Sequence, residues 1–217
     1  MMAHKGKHRG EKIAGLLLAA GASTRMGSTK QLLPVNGSTL LDVVLQQALQ
    51  SDLDLVNLIL GHHATEIRKN LNTNLHHPKL KITQNDHYKE GIGSSIRAGL
   101  SEVEGDYDHV MIILSDMPRL TAAHINLLIH RFLQSHFPLG ALQSNDRRTH
   151  PVIISREFYP LLGRLKGDVG ARDLFVRYPD RVLFVETGGD YDDRDIDTLK
   201  DYLDLTMEIS KEPGEKK

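Results

Sequence analysis

Residues 13–31 read IAGLLLAAGASTRMGSTKQ, and the fold is decided by where this stretch changes character. Seven apolar or small residues come first, without polar interruption. A run of that kind fits a strand buried on both faces. At Ala20 the character changes to glycine, hydroxyl and basic residues. A strand feeding a glycine-rich loop, with a helical pattern soon after, opens a β-loop-α unit. Backbone N–H groups in such a loop can cradle phosphate oxygens, because glycine lets the chain turn sharply and approach closely. Arg25 and Lys30 add positive charge.

The same alternation continues along the chain. Ser38-Thr39 offers an N-cap to LLDVVLQQAL. Residues 54–60 (DLVNLIL) form the next strand candidate, ATEIRKNL a helix, and residues 80–83 (LKIT) a short strand. GIGSSIRAGLSEV opens a glycine-marked helix. Residues 109–116 (HVMIILSD) are the strongest interior strand, and Thr121 caps the helix TAAHINLLIHRFLQS. PLGALQS, HPVIIS and RVLFVE then read as strands, with EFYPLLGRL, ARDLFVRY and DIDTLKDYLDLTME as helices. The βαβα order predicts an α/β fold, a parallel sheet with helices on both faces. It spans residues 13–205 as one domain, with flexible tails at 1–12 and 206–217. In such sheets ligands bind at the carboxyl ends of the strands. The loops after Ala19, near Gly91 and after Leu114 therefore belong together.

Composition narrows the function classes. The chain has 217 residues, no cysteine and a formal net charge of −1. Disulfides, thiolate metal sites and a cysteine nucleophile are excluded. The balanced charge gives no sign of a nucleic-acid or membrane partner. No stretch approaches a membrane-spanning length. The basic start, MMAHKGKHRGEK, lacks the apolar core of a secretory signal, and a cytoplasmic location is expected.

Two familiar phosphate loops fail their own tests. A P-loop places four residues between its glycines and a lysine after the second; here five residues separate Gly21 from Gly27, and Ser28 follows. Gly91-Ile92-Gly93 begins a dinucleotide fingerprint, but Ile96 stands where its third glycine belongs. Asp116, at the end of a buried strand and followed by Pro118, is placed as a Mg²⁺ ligand would be. Mg²⁺ is held by one or two carboxylates plus substrate phosphates.

The longer pattern is more specific. Leu18, Ala19, Ala20, Gly21, Ser23, Arg25, Met26, Gly27 and Lys30 fit L-A-A/G-G-x-S-x-R-M-G-x-x-K. This segment resembles the nucleotide loop of the MobA-like nucleotidyltransferases, and most closely that of the molybdenum cofactor cytidylyltransferases. The likeness extends to LSDMP around Asp116 and to DIDTLKD, where Leu199 replaces the family's proline. It also covers GIGSSIRAGL, RTHPV and GDVGAR.

The resemblance implies a doubly wound, mostly parallel sheet of nucleotide-diphosphosugar-transferase type, with CTP as substrate and Mg²⁺ as cofactor. Lys30 is then assigned to the α-phosphate, Arg25 to the outer phosphates, and Asp116 with Asp195 to the metal, Asp197 being the alternative. Gly93, Ser94 and Ser95 lie beside the base, although a serine there can equally cap a helix. His150, Gly167, Asp168, Gly170 and Arg172 are assigned to a phosphorylated acceptor. The implied acceptor is the molybdopterin cofactor, with a recipient molybdoenzyme or its chaperone downstream. A sugar or polyol phosphate, or a non-catalytic cofactor-binding chaperone, are the alternatives. Where the family has glycine, this chain has Thr149. Threonine takes positive φ poorly, so the backbone geometry of this loop is left open.

Overall fold

A computed structural model describes residues 10–21, 29–188 and 191–211. Strand β1 (Ile13–Ala19) is buried throughout, as its uninterrupted apolar run requires. Its side chains alternate between two cores. Ile13, Leu17 and Ala19 point into one, and Ala14, Leu16 and Leu18 into the other. That period of two is the strand's own geometry.

A small antiparallel pair, β2 (Pro34–Val35) and β3 (Ser38–Thr39), leads into α1 (Leu40–Gln50). Then come β4 (Leu55–Leu60), α2 (Ala64–Asn70), β5 (Leu80–Gln84), α3 (Ile92–Ser101), β6 (His109–Leu114) and α4 (Ala122–Leu133). The second half holds β7 (Leu139–Ser144), β8 (Arg147–Ser155), α5 (Tyr159–Leu162), α6 (Arg172–Arg177), β9 (Val182–Glu186) and α7 (Leu199–Lys211).

Seven strands form one sheet in the order β5-β4-β1-β6-β8-β7-β9. The first four are parallel; β8 runs antiparallel to both β6 and β7, and β9 is parallel to β7. The sheet is thus mostly parallel, as expected. Apolar residues of α1, α2 and α4 cover one face, and those of α3, α5 and α6 the other. Among the described residues, no helix is long and apolar enough to cross a membrane.

The antiparallel strand matters for the site. β8 pairs Val152 with Ile112 and Ser155 with His109. Its early residues, Arg148 to His150, are therefore carried to the carboxyl end of β6, where Asp116 lies. β8 also starts earlier than the apolar run HPVIIS indicates. Arg147 and Arg148 extend it, after a tight turn with Asn145 and Asp146 at φ 50° and 59°. Positive φ at both central positions suits a two-residue hairpin.

The C-terminal boundary is corrected as well. Helix α7 runs to Lys211, so residues 206–211 are helical rather than part of a flexible tail. Leu205 is buried and Ile209 packs beside it, in a third cluster with Val35, Leu40 and Ile196. That apolar stripe carries the helix past residue 205. Of the tails expected at 1–12 and 206–217, residues 1–9 and 212–217 lie outside the described residues.

Candidate active site

Leu18, Ala19 and Ala20 reach the sheet's carboxyl edge buried, and Gly21 emerges exposed. Ser23 and Arg25, both expected on the nucleotide loop, lie outside the described residues, as do Met26 and Gly27. The chain returns at Thr29. Gln31 then reaches back, its Nε2 donating to the carbonyls of Ala19 (3.2 Å) and Gly21 (3.1 Å). This buried amide braces the start of the loop against its end. Its role was not anticipated; a glutamine between Lys30 and Leu32, just past a glycine loop, was the available signal.

Lys30 lies at the centre of the charged groups. Its Nζ donates to Asp116 Oδ2 at 2.9 Å and to Asp197 Oδ1 at 3.2 Å. The other oxygen of Asp116, Oδ1, is buried without a hydrogen-bond partner. The DIDT segment is tied to this point by its backbone: Ile196 N–H donates to the Asp116 carbonyl at 3.0 Å. Ile196 is buried in the third apolar cluster.

Asp197, the alternative to Asp195, is the acid in contact with Lys30. Asp195 stays close enough to feel its neighbours. Burial, then the charges of Asp197 and Asp116, push its carboxyl above the usual carboxylate range. Among the described residues no group of three or more His, Cys, Asp or Glu forms a ready metal cage. The donor set still fits a hard divalent cation. Asp116 offers a buried carboxylate oxygen with no hydrogen-bond partner, its charge acts on Asp195, and phosphate oxygens would complete such a shell.

In the second glycine loop the alternative of a serine cap is not realised. Residue Gly91, not a serine, occupies the N-cap of α3. Ser94 and Ser95 are buried, and Asn85 Nδ2 donates to both hydroxyl oxygens, at 2.9 and 3.1 Å. Gly93 backs onto the GDVGAR segment. A Cβ there would stand 3.1 Å from the Gly167 carbonyl oxygen and 3.2 Å from Lys166 N. The absence of a side chain at Gly93 lets two loops meet.

In the segments assigned to the acceptor, His150 and Arg172 line a cavity of about 200 Å³ with Asp168, Gly170 and Arg148. Apolar walls come from Ile92, Ile96, Val152 and Phe175. Gly167 sits at the rim of the neighbouring groove, beside Arg97 and Lys166. Gly170 has φ +58° and rests against Ile92, so both its backbone and its surroundings favour glycine.

His150 Nδ1 is buried with no partner. Burial pushes this imidazole's pKa down, and the charge of Arg148 adds to the effect. Arg148 stacks on Phe175 with 4.8 Å to the ring centroid, and burial lowers its pKa too. Thr149 does not take the positive φ that a glycine would allow, although the β7–β8 register shifts beside it. It lies within β8 opposite Leu142. Tyr191 O–H donates to the His150 carbonyl at 2.9 Å, joining this strand to the acidic segment.

A mostly parallel sheet with a braced glycine loop, a lysine between two acids and a basic pocket beyond defines a nucleotidyltransferase-like fold. The chain belongs to the MobA-like NTP transferase family, whose domain description matches residues 15–182. It is 32% identical to the purine catabolism protein PucB of Bacillus subtilis over 206 residues, covering 89% of this chain and 96% of that protein. It is 28% identical to nicotine blue oxidoreductase of Paenarthrobacter nicotinovorans, covering 87% and 93%. The molybdenum cofactor cytidylyltransferase of Escherichia coli is 29% identical, over 65% of this chain and 69% of its own. Among solved structures, Rv0371c of Mycobacterium tuberculosis superposes with a TM-score of 0.78 at 28% identity, covering 90% and 98%. A structure of that protein in complex with manganese gives 0.74 at 27%, again covering 90% and 98%.

Proposed function

We propose that the protein transfers CMP from CTP to the phosphate of the molybdopterin cofactor, releasing pyrophosphate. One observation carries most weight. Lys30 is held by Asp116 and Asp197 beside a loop braced by Gln31, while Asp116 keeps a buried oxygen unpaired. Cation and carboxylates meet at the carboxyl edge of the sheet, where a triphosphate would lie.

The reaction is an in-line displacement. An oxygen of the acceptor's phosphate attacks the α-phosphorus, and the bond from that phosphorus to the bridging oxygen breaks. Pyrophosphate leaves with that oxygen. No protein nucleophile is required, so catalysis is positioning plus charge stabilisation. Lys30 turns from the acids toward the α-phosphate; the outer phosphates are assigned to Arg25 by resemblance. Asp116, with Asp197 or Asp195, would hold Mg²⁺, which supplies charge neutralisation on the phosphates when bound. Arg148 and Arg172 offer cationic contacts to the acceptor from the cavity's rim.

The segments carrying Lys30 and Asp116 meet as the carboxyl-end rule for such sheets requires, and the segment carrying Asp197 was joined to them by resemblance alone. The cytidylyltransferase among the relatives supports the choice of CTP and of the acceptor. The oxidoreductase name borne by another relative has no counterpart in a dinucleotide fingerprint here. Ile96, fully buried, occupies the place of its third glycine. The test is incubation with each nucleoside triphosphate, Mg²⁺ and either molybdenum cofactor or sugar and polyol phosphates, with pyrophosphate detection. Pyrophosphate release with CTP and the molybdenum cofactor is expected. Release only with another acceptor would redirect the assignment, and release with none would overturn it.

A further inference from the structure

We propose, independently of the nucleotidyl-transfer reading, that the outer edge of β9 is a self-association surface. A second copy of this chain adds its own β9 there, antiparallel, across a two-fold axis at Phe184.

Strand β9 is the last of the seven-stranded sheet, with β7 on its inner side. One bond fixes which of its backbone groups face outward. Thr187 N–H donates to the Gln143 carbonyl at 3.1 Å, and Gln143 pairs with Glu186. Successive residues of a strand turn their N–H and C=O groups to opposite sides. Leu183 and Val185 therefore bond to β7 as Thr187 does, while Val182, Phe184 and Glu186 turn theirs away from the sheet. Among the described residues no other segment bonds to these outward groups.

Such an edge is a template for another strand, and proteins usually guard it with proline, lysine or a bulge. The sequence of β9, VLFVE, has neither residue, and its register on β7 is regular. Phe184 is 46% exposed in the middle of it. The sheet's opposite edge, β5, is different. It carries Lys81, paired with Glu102 at 2.6 Å.

The occupant that fits is β9 itself, because the three outward residues are symmetric about Phe184. Two-fold pairing sets Phe184 opposite its own copy and Val182 opposite Glu186, and each pair exchanges two hydrogen bonds. Side chains of these three residues share the face of α3, α5 and α6, where Val182 packs. The two Phe184 rings then meet at the axis, and aromatic cross-strand pairs are favourable. Charge agrees with this alignment. Arg181, just before β9, lies over the Phe158 ring on that same face, 5.2 Å from its centroid. Glu186 is exposed and makes no ion pair among the described residues. Antiparallel pairing brings it beside the partner's Arg181. Two such short strands bury less than the roughly 1,200 Å² of a standard interface, so association should be weak and concentration-dependent. β9 runs in the same direction as β6 and β1. The two candidate active sites therefore point to opposite ends of the joined sheet, and both stay open.

The test is sedimentation velocity of the full chain at rising concentration, with wild type and Phe184→Lys. Wild type should shift from monomer to dimer. F184K should melt as wild type does, since Phe184 is half exposed, and should stay monomeric. Single-cysteine variants read the register, because the chain has no cysteine of its own. At a hydrogen-bonded antiparallel pair the Cα atoms are about 5.5 Å apart, within disulfide reach. Phe184→Cys should therefore give a disulfide-linked dimer under mild oxidation. Glu186→Cys, which faces Val182 rather than itself, should link at least tenfold more slowly. A wild type that is monomeric at every concentration, or equal linking by the two cysteine variants, overturns the proposal. So does a dimer that persists in F184K; its loss in Leu203→Lys would move the interface to the exposed Leu199, Leu203 and Met207 of α7.

Discussion

Replacing Lys30 by methionine removes the cation between Asp116 and Asp197 while keeping an unbranched apolar stem. The side chains of Lys30 and Asp116 are only 12% and 25% exposed, at 2.9 Å. A charge-assisted hydrogen bond so placed is worth about 1.5–3 kcal/mol. Asp197 is 48% exposed at 3.2 Å, and solvent screening reduces that pair to about 0–1 kcal/mol. The expected loss is about 2 kcal/mol, or ~4–8 °C in Tm for a chain of this size. Divalent metal should then stabilise K30M more than wild type, because the ammonium no longer competes for the carboxylates. Thermal melts with and without Mg²⁺ or Mn²⁺ measure both effects. K30M should also lose kcat more than it raises KM for nucleotide, since its contact strengthens in the transition state. A melt equal to wild type without metal, together with the same metal-induced shift, would refute the placement of Lys30.

Three further outcomes are expected. Asp116→Asn should abolish turnover with a Tm within a few degrees of wild type; near-normal pyrophosphate release at saturating Mg²⁺ would exclude Asp116 as a ligand. Gly93→Ala places a methyl about 3.1 Å from the Gly167 carbonyl oxygen; overpacking should cost about 1–3 kcal/mol, with activity falling as the two loops are pushed apart, and an unchanged melt would contradict the close approach. Asp42 is fully buried; burial pushes its carboxyl pKa up, but bonds from Asn72, Thr73 and Thr39 outweigh this and leave it below 3.8. Its charged form is thus favoured by folding. That stability is present above pH 3.8 and is lost as pH falls through the lower folded value. The stability gap between wild type and Asp42→Asn, measured by denaturant titration, should shrink below pH 4; a gap independent of pH would contradict it.

Much of the fold was legible because its central strands are buried on both faces. IAGLLLA and HVMIIL can hardly be read otherwise, and Thr39 and Thr121 cap the helices that follow them, as the sequence indicates. The start of β8 was not legible. Arg147 and Arg148 are polar, and their pairing with Ser144 and Gln143 follows a register shift in β7 that no periodicity announces. Helix α5 shrinks to four residues, far less than EFYPLLGRL indicates, with a 3-10 turn ahead of it and Pro160 at its start. The site was legible as a set of segments but not in its contacts. Asp195 and Asp197 are two apart around a buried Ile196, and only the tertiary structure distinguishes which of them Lys30 meets. Gln31, Asn85 and Tyr191 act through backbone carbonyls and hydroxyls brought from distant segments, and local patterns are silent about such partners.

The most direct test follows the α-phosphate. CTP labelled at that position is incubated with Mg²⁺, molybdenum cofactor and wild-type protein, and the products are separated. The label should appear in a CMP-linked cofactor, with unlabelled pyrophosphate in equal amount and neither product with Asp116→Asn. Label remaining in CTP while the cofactor is otherwise consumed, or label released as free CMP without the acceptor, would contradict nucleotidyl transfer at this site.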